Sequence, residues 1–205
     1  MAQIPTRGIS AFKSKLIGGG ARPNLFEVDV TFPTAVNLGV QGDGGSGSFD
    51  SENFRFLCKT AALPGSNVTP IEVPFRGRTL KVAGDRTIEP WSVTIINDED
   101  FSHRRAFEAW IQNMAQYGDH SGLTDPNDYM GNAVVYQLGR SESNQQGTNT
   151  TGDNSRILAQ YRFIDIFPTS ISEIGLSYDS ENAIEEFTVD FQVQYYFPEA
   201  PGTGA

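Results

Sequence analysis

The sequence predicts a mainly β protein, a β-sandwich or barrel-like body with one flanking α-helix. Three observations support this prediction. Many short segments alternate apolar and polar residues with period two, a single segment before Gly118 has helical periodicity, and glycine, proline and serine recur between the segments. At 205 residues the chain has the length of one domain with long loops, which is enough to bury a substantial core.

The chain divides into an arm, a body and a tail. Residues 1–22 include four basic residues and no acidic residue, and they end with three glycines close together. We expect an arm that becomes ordered only against a partner. Residues 23–197 form the predicted β body, with polar loops at 39–51 and 139–156, and residues 198–205 form a flexible C-terminal tail.

Period-two alternation predicts the strands in the first half of the body. Apolar side chains alternate with Glu, Asp and Thr over residues 26–32, as in a strand with one face in water. Phe54, Phe56 and Cys58 predict a second strand, and the alternation over residues 91–95 predicts another. Each of these strands has one apolar face, which we expect to face the core.

A tight hairpin is predicted between the strand at Cys58 and the strand that begins at Trp91. Two alternating segments, 71–75 and 78–82, are separated only by the dipeptide Arg76-Gly77. A two-residue hairpin turn needs positive φ angles, which glycine adopts without steric cost. We therefore expect two antiparallel strands joined at Gly77.

One α-helix is predicted after the strand that begins at Trp91. Residues 97–100 read Asn-Asp-Glu-Asp, which places a capping side chain and three acids where the helix dipole favours them. Gly118 is the predicted end of the helix. Four apolar residues recur at positions i, i+3, i+4 and i+7 and form the face expected to pack on the sheet: Phe107, Trp110, Ile111 and Met114.

The last predicted strand has the clearest pattern in the chain. Strands are also expected over residues 134–138 and 157–163, on either side of the second polar loop. From residue 186 to 195 every second residue is apolar, so one face must be buried while the other stays wet. The expected buried residues are Phe187, Val189, Phe191, Val193 and Tyr195, and the expected wet ones are Glu186, Thr188, Asp190, Gln192 and Gln194.

The charge of the chain argues against tight nucleic-acid binding. Fifteen basic and 25 acidic residues give a net charge of −10, which disfavours a groove that binds phosphates. The distribution is uneven, because the arm has a charge of +4 while the remaining 11 bases and 25 acids give −14, and no base follows Arg162. The wet face of the last strand therefore has the electrostatics of a surface that meets other negative charge without binding it.

The sequence contains no convincing motif for an enzyme active site or a metal site. Cys58 is the only cysteine, and His103 and His120 are expected at the surface, so a disulfide or a Cys/His zinc site cannot be assembled. Ser46 lies in a glycine loop without a following helix, and no glycine-rich stretch ends in Lys-Ser/Thr. We expect no enzyme, no cofactor and no metal. The sequence also has no apolar segment of the length that a membrane helix or a signal peptide needs. We therefore expect a soluble intracellular chain.

Six sequence blocks occur in an order that resembles one family. They are ARPNLFEV at 21–28, CKTAALP at 58–64, VAGDRT at 82–87, NDE at 97–99, FPT at 167–169 and YDS at 178–180. Together they resemble the major tail tube proteins of contractile-tailed, T-even-type bacteriophages, over roughly residues 21–196. The loops at 39–51 and 139–156 and the tail after Phe197 depart from this pattern and look like additions to it.

The resemblance implies a structural subunit of a tail tube, passive in chemistry. In that family six copies form a ring, rings stack into a hollow tube inside a contractile sheath, and each copy gives four strands to a continuous 24-stranded inner barrel, wide enough for a DNA duplex. Six chains at −10 each would give −60 per ring, so the wall would repel phosphates and let DNA slide.

The resemblance also implies partners and a location. The implied partners are further copies of the chain within and between rings, the tail sheath protein, the baseplate and tape-measure proteins, and double-stranded DNA as passing cargo. The implied location is the virion tail, assembled in the host cytoplasm. No membrane segment is expected.

Candidate site residues follow from combining the resemblance with the strand patterns. The lumen wall would be the wet face of the last strand, Glu186, Thr188, Asp190, Gln192 and Gln194, for which the alternative is an ordinary solvated outer face. An ion pair of Asp85 or Arg86, at an interface or fixing a turn, is expected at residues 84–86. The candidate contact with a neighbouring subunit or ring is the hairpin: Ile71, Val73, Phe75, Gly77, Arg78, Leu80 and Val82.

Two alternatives stay open. The same fold could serve as the tube of a contractile injection particle or type VI secretion system, whose cargo is protein. A different class is a β-sandwich module that binds carbohydrate through Trp91, Trp110 or the long loops. Both tryptophans occupy core positions in their segments, which disfavours the carbohydrate-binding hypothesis.

Overall fold

A computed structural model describes residues 8–16, 20–36, 51–140, 157–179, 181 and 183–199. The strands of the main sheet are β1 (Phe26–Thr31), β2 (Cys58–Ala61), β5 (Trp91–Ile96), β6 (Gly131–Leu138), β7 (Ile157–Ile171) and β8 (Glu186–Glu199). They pair antiparallel in the order β1-β6-β7-β8-β5-β2, while β3 (Ser66–Phe75) and β4 (Arg78–Ile88) form a separate two-stranded sheet. The predicted mainly β fold is confirmed, as are the strands predicted over 26–32, 71–82, 91–95, 134–138, 157–163 and 186–195.

Four helices lie in the described part of the chain: α1 (Ile9–Lys15), α2 (Ser51–Leu57), α3 (Ser102–Met114) and α4 (Pro126–Tyr129). The predicted flanking helix is α3, and the other three are short helices that the sequence analysis did not predict. The Asp98 carboxylate accepts a hydrogen bond from the backbone N–H of Ser102 at 3.2 Å, but the N-cap residue is Phe101 and no acid lies in the first turn, so the predicted capping segment lies just before the helix. The helix ends at Met114, before the predicted stop at Gly118.

The six-stranded sheet is barrel-like and nearly closed. Its edge strands β1 and β2 approach each other, and α2 lies between them in contact with both. The guanidinium of Arg55 on α2 is 2.5 Å from the carboxylate of Asp29 on β1. The helix and this ion pair therefore cover strand edges that would otherwise expose unpaired backbone groups.

The strand predicted through Phe54 and Phe56 is wrong, because residues 51–57 form the helix α2. Phe54 is completely buried, whereas 79% of Phe56 is exposed. Phe54 and Leu57 are three residues apart, so one helix face holds the apolar side chains that contact the body, and Cys58 continues this contact as the first residue of β2. The period-two interpretation depended on Phe56, which faces solvent.

The core lies between the inner face of the sheet and α3, and aromatic rings dominate it. The Trp91 ring on β5 stacks on Phe163 of β7 with ring centroids 4.5 Å apart. Phe107 of α3 meets Phe191 of β8 edge-on at 5.8 Å. These contacts join three strands to the helix. Phe107, Trp110 and Met114 of the predicted apolar face pack on the core as expected, whereas Ile111 is not part of the core cluster.

Both tryptophans are buried structural residues. The indole N–H of Trp91 donates to the carbonyl oxygen of Ala62 at 2.8 Å, and that of Trp110 donates to the carbonyl oxygen of Tyr129 at 2.7 Å. Each ring is almost completely excluded from solvent. Neither can stack on a sugar, which removes the tryptophan basis of the carbohydrate-binding hypothesis.

The expectation that His103 lies at the surface is wrong. Its side chain is buried, and its ring packs edge-on against Phe54 at 5.8 Å. His103 is four residues before Phe107, so it shares the core face of α3. His120 is exposed, as predicted.

The arm and the tail contain more regular structure than the sequence predicts. Within the arm, residues 9–15 form α1, and β8 continues through Pro198 and Glu199 of the predicted tail. The Glu199 carboxylate lies 3.2 Å from the guanidinium of Arg162 on β7. Residues 200–205 and most of the loops predicted at 39–51 and 139–156 lie outside the described residues.

Candidate functional site

Strands β3 and β4 form a hairpin that stands apart from the body. Every residue of β3 is exposed, as is almost all of β4. The two strands are joined by Arg76 and Gly77, which have φ angles of 44° and 78°, so the predicted tight turn at Gly77 is confirmed. Since an isolated two-stranded hairpin is marginally stable at best, this element needs a partner surface.

One face of the hairpin is apolar. Ile71 lies opposite Val82, and Val73 lies opposite Leu80, so these four side chains share a face with Phe75. Between 45% and 67% of each of the five side chains is exposed. A contiguous apolar surface of this kind marks an interaction site. We call these five residues the hairpin face; the opposite face has polar and charged residues, including the ion pair of Glu72 and Lys81 at 3.5 Å.

The turn predicted at residues 84–86 is wrong, because these residues lie within β4. A β-bulge between Val68 and Pro70 on β3 brings the backbone close to Gly84. A Cβ atom at Gly84 would lie 2.4 Å from the carbonyl oxygen of Thr69, so only glycine fits. The strand therefore stays continuous where the sequence, with Gly-Asp-Arg, is typical of a turn.

Arg86 links the hairpin base to the body. Its guanidinium donates to the Ser66 hydroxyl at 3.0 Å and lies 5.6 Å from the ring centre of Tyr196 on β8. Among the described residues, neither Asp85 nor Arg86 forms a salt bridge within the chain. An ion pair of either residue across an interface stays a prediction.

Strand β8 has the two faces that its alternation predicts. Phe187, Val189, Phe191 and Val193 are buried in the core, and the intervening side chains lie on the opposite face. The prediction that Tyr195 is buried is wrong, because half of its side chain is exposed and Tyr196 packs on the core instead.

A break in the neighbouring strand explains the exposure of Tyr195. Asp165 on β7 has a positive φ of 54°, so Phe163 and Ile166, three residues apart, both face the core. Their partners on β8 are Tyr196 and Val193, which are also three apart. After Val193, the positions of β8 that face the core are therefore displaced by one residue, so that Tyr196 and not Tyr195 contacts the core.

The outer face of β8 is part of a hydrogen-bonded network across four strands. Asp190 accepts hydrogen bonds from the hydroxyl of Ser92 on β5 at 2.5 Å and of Ser170 on β7 at 2.7 Å. These two bonds lower the pKa of Asp190 below its ordinary value. Thr94 of β5 and Thr188 of β8 form the next cross-strand pair on this face, and their hydroxyl oxygens are 3.1 Å apart. We call this surface of β2, β5, β8 and β7 the polar sheet face.

The polar sheet face also contains a cation that the sequence analysis missed. The ammonium of Lys59 on β2 is 2.5 Å from the Glu186 carboxylate. Lys59 lies far from Glu186 in sequence, and no short-range pattern joins them. Thr94 and Ser92 could have been found, since they are the polar positions of the alternation in β5. The face is therefore hydroxyl-rich and acidic, with one acid neutralised by an ion pair.

The described residues offer little for catalysis. They contain no group of three or more His, Cys, Asp or Glu side chains arranged to hold a metal ion. Burial raises the pKa of the Cys58 thiol to about 12, which keeps it protonated and unreactive. None of the helices in the described ranges has the length and hydrophobicity that crossing a membrane requires.

The fold and its surfaces define a class of protein: a structural subunit that assembles, because its body is complete while its apolar hairpin is uncovered. Comparison with known proteins gives the family. A family model described as "Phage tail tube protein" matches residues 21–199. The chain belongs to the phage tail tube protein family and is a component of the virion tail. The resemblance found in the sequence is confirmed.

Individual relatives agree with this assignment. The chain is 33% identical to "Tail tube protein gp19" of Enterobacteria phage T4 over 186 residues, which is 91% of this chain and 94% of that protein. It is 22% identical to "Tail tube protein" of Serratia phage KSP90 over 175 residues, covering 85% of this chain and 86% of that one.

Solved structures share the fold at low sequence identity. A chain of the PVC sheath-tube complex of an extracellular contractile injection system in its extended state superimposes with a TM-score of 0.54, at 12% identity, covering 92% of this chain and 97% of that one. A chain of the anti-feeding prophage baseplate gives a TM-score of 0.53 at 10% identity, covering 88% and 96%. These similarities confirm the predicted fold class.

Proposed function

We propose that this chain forms hexameric rings, that the rings stack into a hollow tube inside a contractile sheath, and that double-stranded DNA passes through the tube. The sheath protein, the baseplate and the tape-measure protein are the proposed partners of the tube. The hairpin face is the observation on which the assembly proposal rests. The T4 relative, named as a tail tube protein and 33% identical, favours the phage context.

The size of the hairpin face supports a closed ring. Burying a Val, Leu, Ile or Phe side chain stabilises by ~1.5–3 kcal/mol, so covering five half-exposed side chains contributes about 5 kcal/mol. Association costs about 4–15 kcal/mol in lost freedom of motion. One hairpin contact therefore offsets only the lower end of that range. In a closed ring each copy both gives and receives a hairpin, which supplies further contacts without further loss of freedom.

The polar sheet face is the proposed lumen wall. Several of its donors are engaged within the sheet, since Ser92 and Ser170 donate to Asp190 and Lys59 pairs with Glu186, while the Gln192 and Gln194 side chains are exposed and uncharged. With these hydroxyls and this ammonium engaged and the remaining acids charged, the face presents few groups that favour a phosphate. DNA would therefore pass without being held, and we propose no enzymatic activity for the subunit.

The tube of a contractile injection system is the second candidate function. Its support is the fold similarity to the PVC sheath-tube complex, at only 12% identity. In that case the cargo would be protein. The hairpin face and ring assembly would be the same for both candidates. They differ in the cargo that passes the polar sheet face, which is DNA in a phage tail and protein in an injection system.

Electron microscopy of the purified chain tests the assembly proposal. We expect hollow tubes of stacked six-fold rings. Replacing Val73→Asp together with Leu80→Asp places charge on the hairpin face and should abolish tubes. The fold of the body should persist, because both side chains project outside the core.

The matched control places the same charge on the opposite face of the hairpin. Thr79 and Ala83 are exposed residues of β4 that alternate with Leu80 and Val82. Thr79→Asp with Ala83→Asp should still give tubes. Normal tubes from the Val73→Asp, Leu80→Asp variant, or an unsubstituted chain that stays monomeric at high concentration, would contradict the proposal.

A further inference from the structure

Helix α1 presents an apolar face that is uncovered in the structure. Ile9, Phe12 and Leu16 recur at i, i+3 and i+7, and between 44% and 75% of each side chain is exposed. Lys13 and Lys15 lie in the last turn of the same helix. A helix this short is not stable on its own in water, so a partner that covers its apolar face would stabilise it.

A groove of complementary character lies in the connection between β7 and β8. It measures about 250 Å³ and is formed by residues 174–177 and 183–186. Leu176 and Ile184 on its walls are 81% and 72% exposed. The groove therefore combines the apolar side chains of Ile174, Leu176, Ala183 and Ile184 with two carboxylates, Glu185 and Glu186, of which Glu186 is paired with Lys59. We call it the β7–β8 groove.

The charges around the groove match those of α1. Exposed Glu173, Asp179 and Glu181 belong to the same connection, and the two bases beside it, Lys59 and Arg104, are paired with Glu186 and Glu108. The arm that contains α1 has the opposite balance, with four bases and no acid. Apolar side chains and charge are thus complementary on the two surfaces, which favours a specific encounter in one orientation.

We propose that α1 of one copy docks in the β7–β8 groove of a second copy, with Phe12 in the apolar part and Lys13 and Lys15 toward the acidic rim. The chain's own α1 does not fill this groove, because the apolar side chains of both are exposed in the same molecule. The inference rests on the proposed tube, since it adds a contact between copies.

Mixed disulfide formation between two variants tests the docking. One preparation has Phe12→Cys and the other Ile184→Cys with an affinity tag, and the two are assembled together and oxidised. Only contact between different copies gives a disulfide-linked dimer of one tagged and one untagged chain. The native Cys58 is buried and does not compete.

Tyr117→Cys, combined with Phe12→Cys, is the matched control for chance collision. Tyr117 is exposed and follows the C-terminal end of α3, whereas the first turn of α3 lies beside the groove, where Arg104 donates to the Ser172 carbonyl. We expect Phe12→Cys combined with Ile184→Cys to give at least tenfold more mixed dimer than Phe12→Cys combined with Tyr117→Cys. Equal yields in well-formed tubes would overturn the docking while leaving the tube proposal intact. An unsubstituted chain that forms no tubes would overturn both.

Charge reversal gives a second, independent measurement. Lys13→Glu with Lys15→Glu should raise the protein concentration needed for tubes by about tenfold, because like charges then face the acidic rim. Adding Glu173→Lys and Glu181→Lys should restore assembly, since it re-creates opposite charges without touching the groove walls. The proposed orientation would be contradicted if the variant with all four substitutions assembled no better than the variant with only Lys13→Glu and Lys15→Glu.

Discussion

Asp190 is the residue at which three strands of the polar sheet face meet. Its carboxylate on β8 accepts hydroxyl hydrogen bonds from Ser92 on β5 and Ser170 on β7. Both bonds stabilise the charged form, so the pKa of Asp190 lies below its ordinary value. The side chain thus stays ionised on a surface that we propose to face DNA.

The lowered pKa of Asp190 predicts the sign of a pH effect. Because the folded-state pKa is depressed, the stabilisation is present above the unfolded-state pKa, near 4, and is lost as the pH falls through the folded value. Replacing Ser92→Ala and Ser170→Ala should raise the pKa of Asp190 toward its ordinary value. Carboxyl NMR titration of the assembly-deficient Val73→Asp, Leu80→Asp background measures it, and an unchanged pKa would contradict the hydrogen-bond origin.

Single residues also show where pattern-based prediction stops. The alternation in β8 correctly places Phe187 and Val189 in the core, since the backbone there is regular. It fails at Tyr195, because the left-handed conformation of Asp165 on another strand shifts the core side. It also fails for His103, whose polarity suggests solvent although its helical position shares the core face with Phe107. The Tyr195 failure has its cause on another strand, whereas the His103 failure arises because the polarity of the residue was weighed above its helical position.

Among the elements, α2 differs most from its prediction. A strand would place Phe54 and Phe56 on one face, whereas the helix buries Phe54 and exposes Phe56. Short apolar segments fit either periodicity, and contact with the body decides between them. The hairpin was predictable because its turn is local: two residues with positive φ fix the pairing of β3 and β4. The β-bulge opposite Gly84 could not be predicted in this way, because it lies in β3 and the sequence around Gly84 does not indicate it.

Two phenylalanine substitutions distinguish helix from strand at residues 51–57. Phe54→Ala should lower the free energy of unfolding by about 3–5 kcal/mol, because a fully buried ring leaves a cavity. Phe56→Ala, the matched control two residues away, should change it by less than about 0.5 kcal/mol. Urea unfolding of the Val73→Asp, Leu80→Asp background gives both values without interference from assembly. Comparable losses from the two substitutions would favour the strand.

At the scale of the whole molecule, the charge of the chain is separated along its length. The basic arm and the acidic connection between β7 and β8 are complementary, whereas the body has a strong negative excess. Composition alone predicts weak affinity for nucleic acid but not where the acids lie. The structure adds that Lys59 neutralises Glu186 on the polar sheet face, so the low affinity proposed for the lumen comes from engaged donors as well as from repulsion.

The placement of the polar sheet face in the lumen predicts how added charge affects DNA. Gln192 and Gln194 are exposed on β8 with no core contact, so replacing Gln192→Arg and Gln194→Arg should leave folding and tubes intact. Six copies would add 12 positive charges per ring to the wall. Such tubes should retain duplex DNA inside, with retention that falls steeply as salt rises.

The position of the added charge is what this experiment must resolve. Microscopy of the tubes after incubation with short duplexes would show DNA density within the lumen, and nuclease digestion would leave that DNA protected. Phe56→Arg with Tyr117→Arg puts the same charge on exposed residues elsewhere, outside the polar sheet face, and any DNA it attracts should be digested. If the Gln192→Arg, Gln194→Arg tubes bind only nuclease-sensitive DNA, the polar sheet face lies outside the tube. The wet face of β8 is then an ordinary solvated surface, and the lumen wall must be sought on other strands.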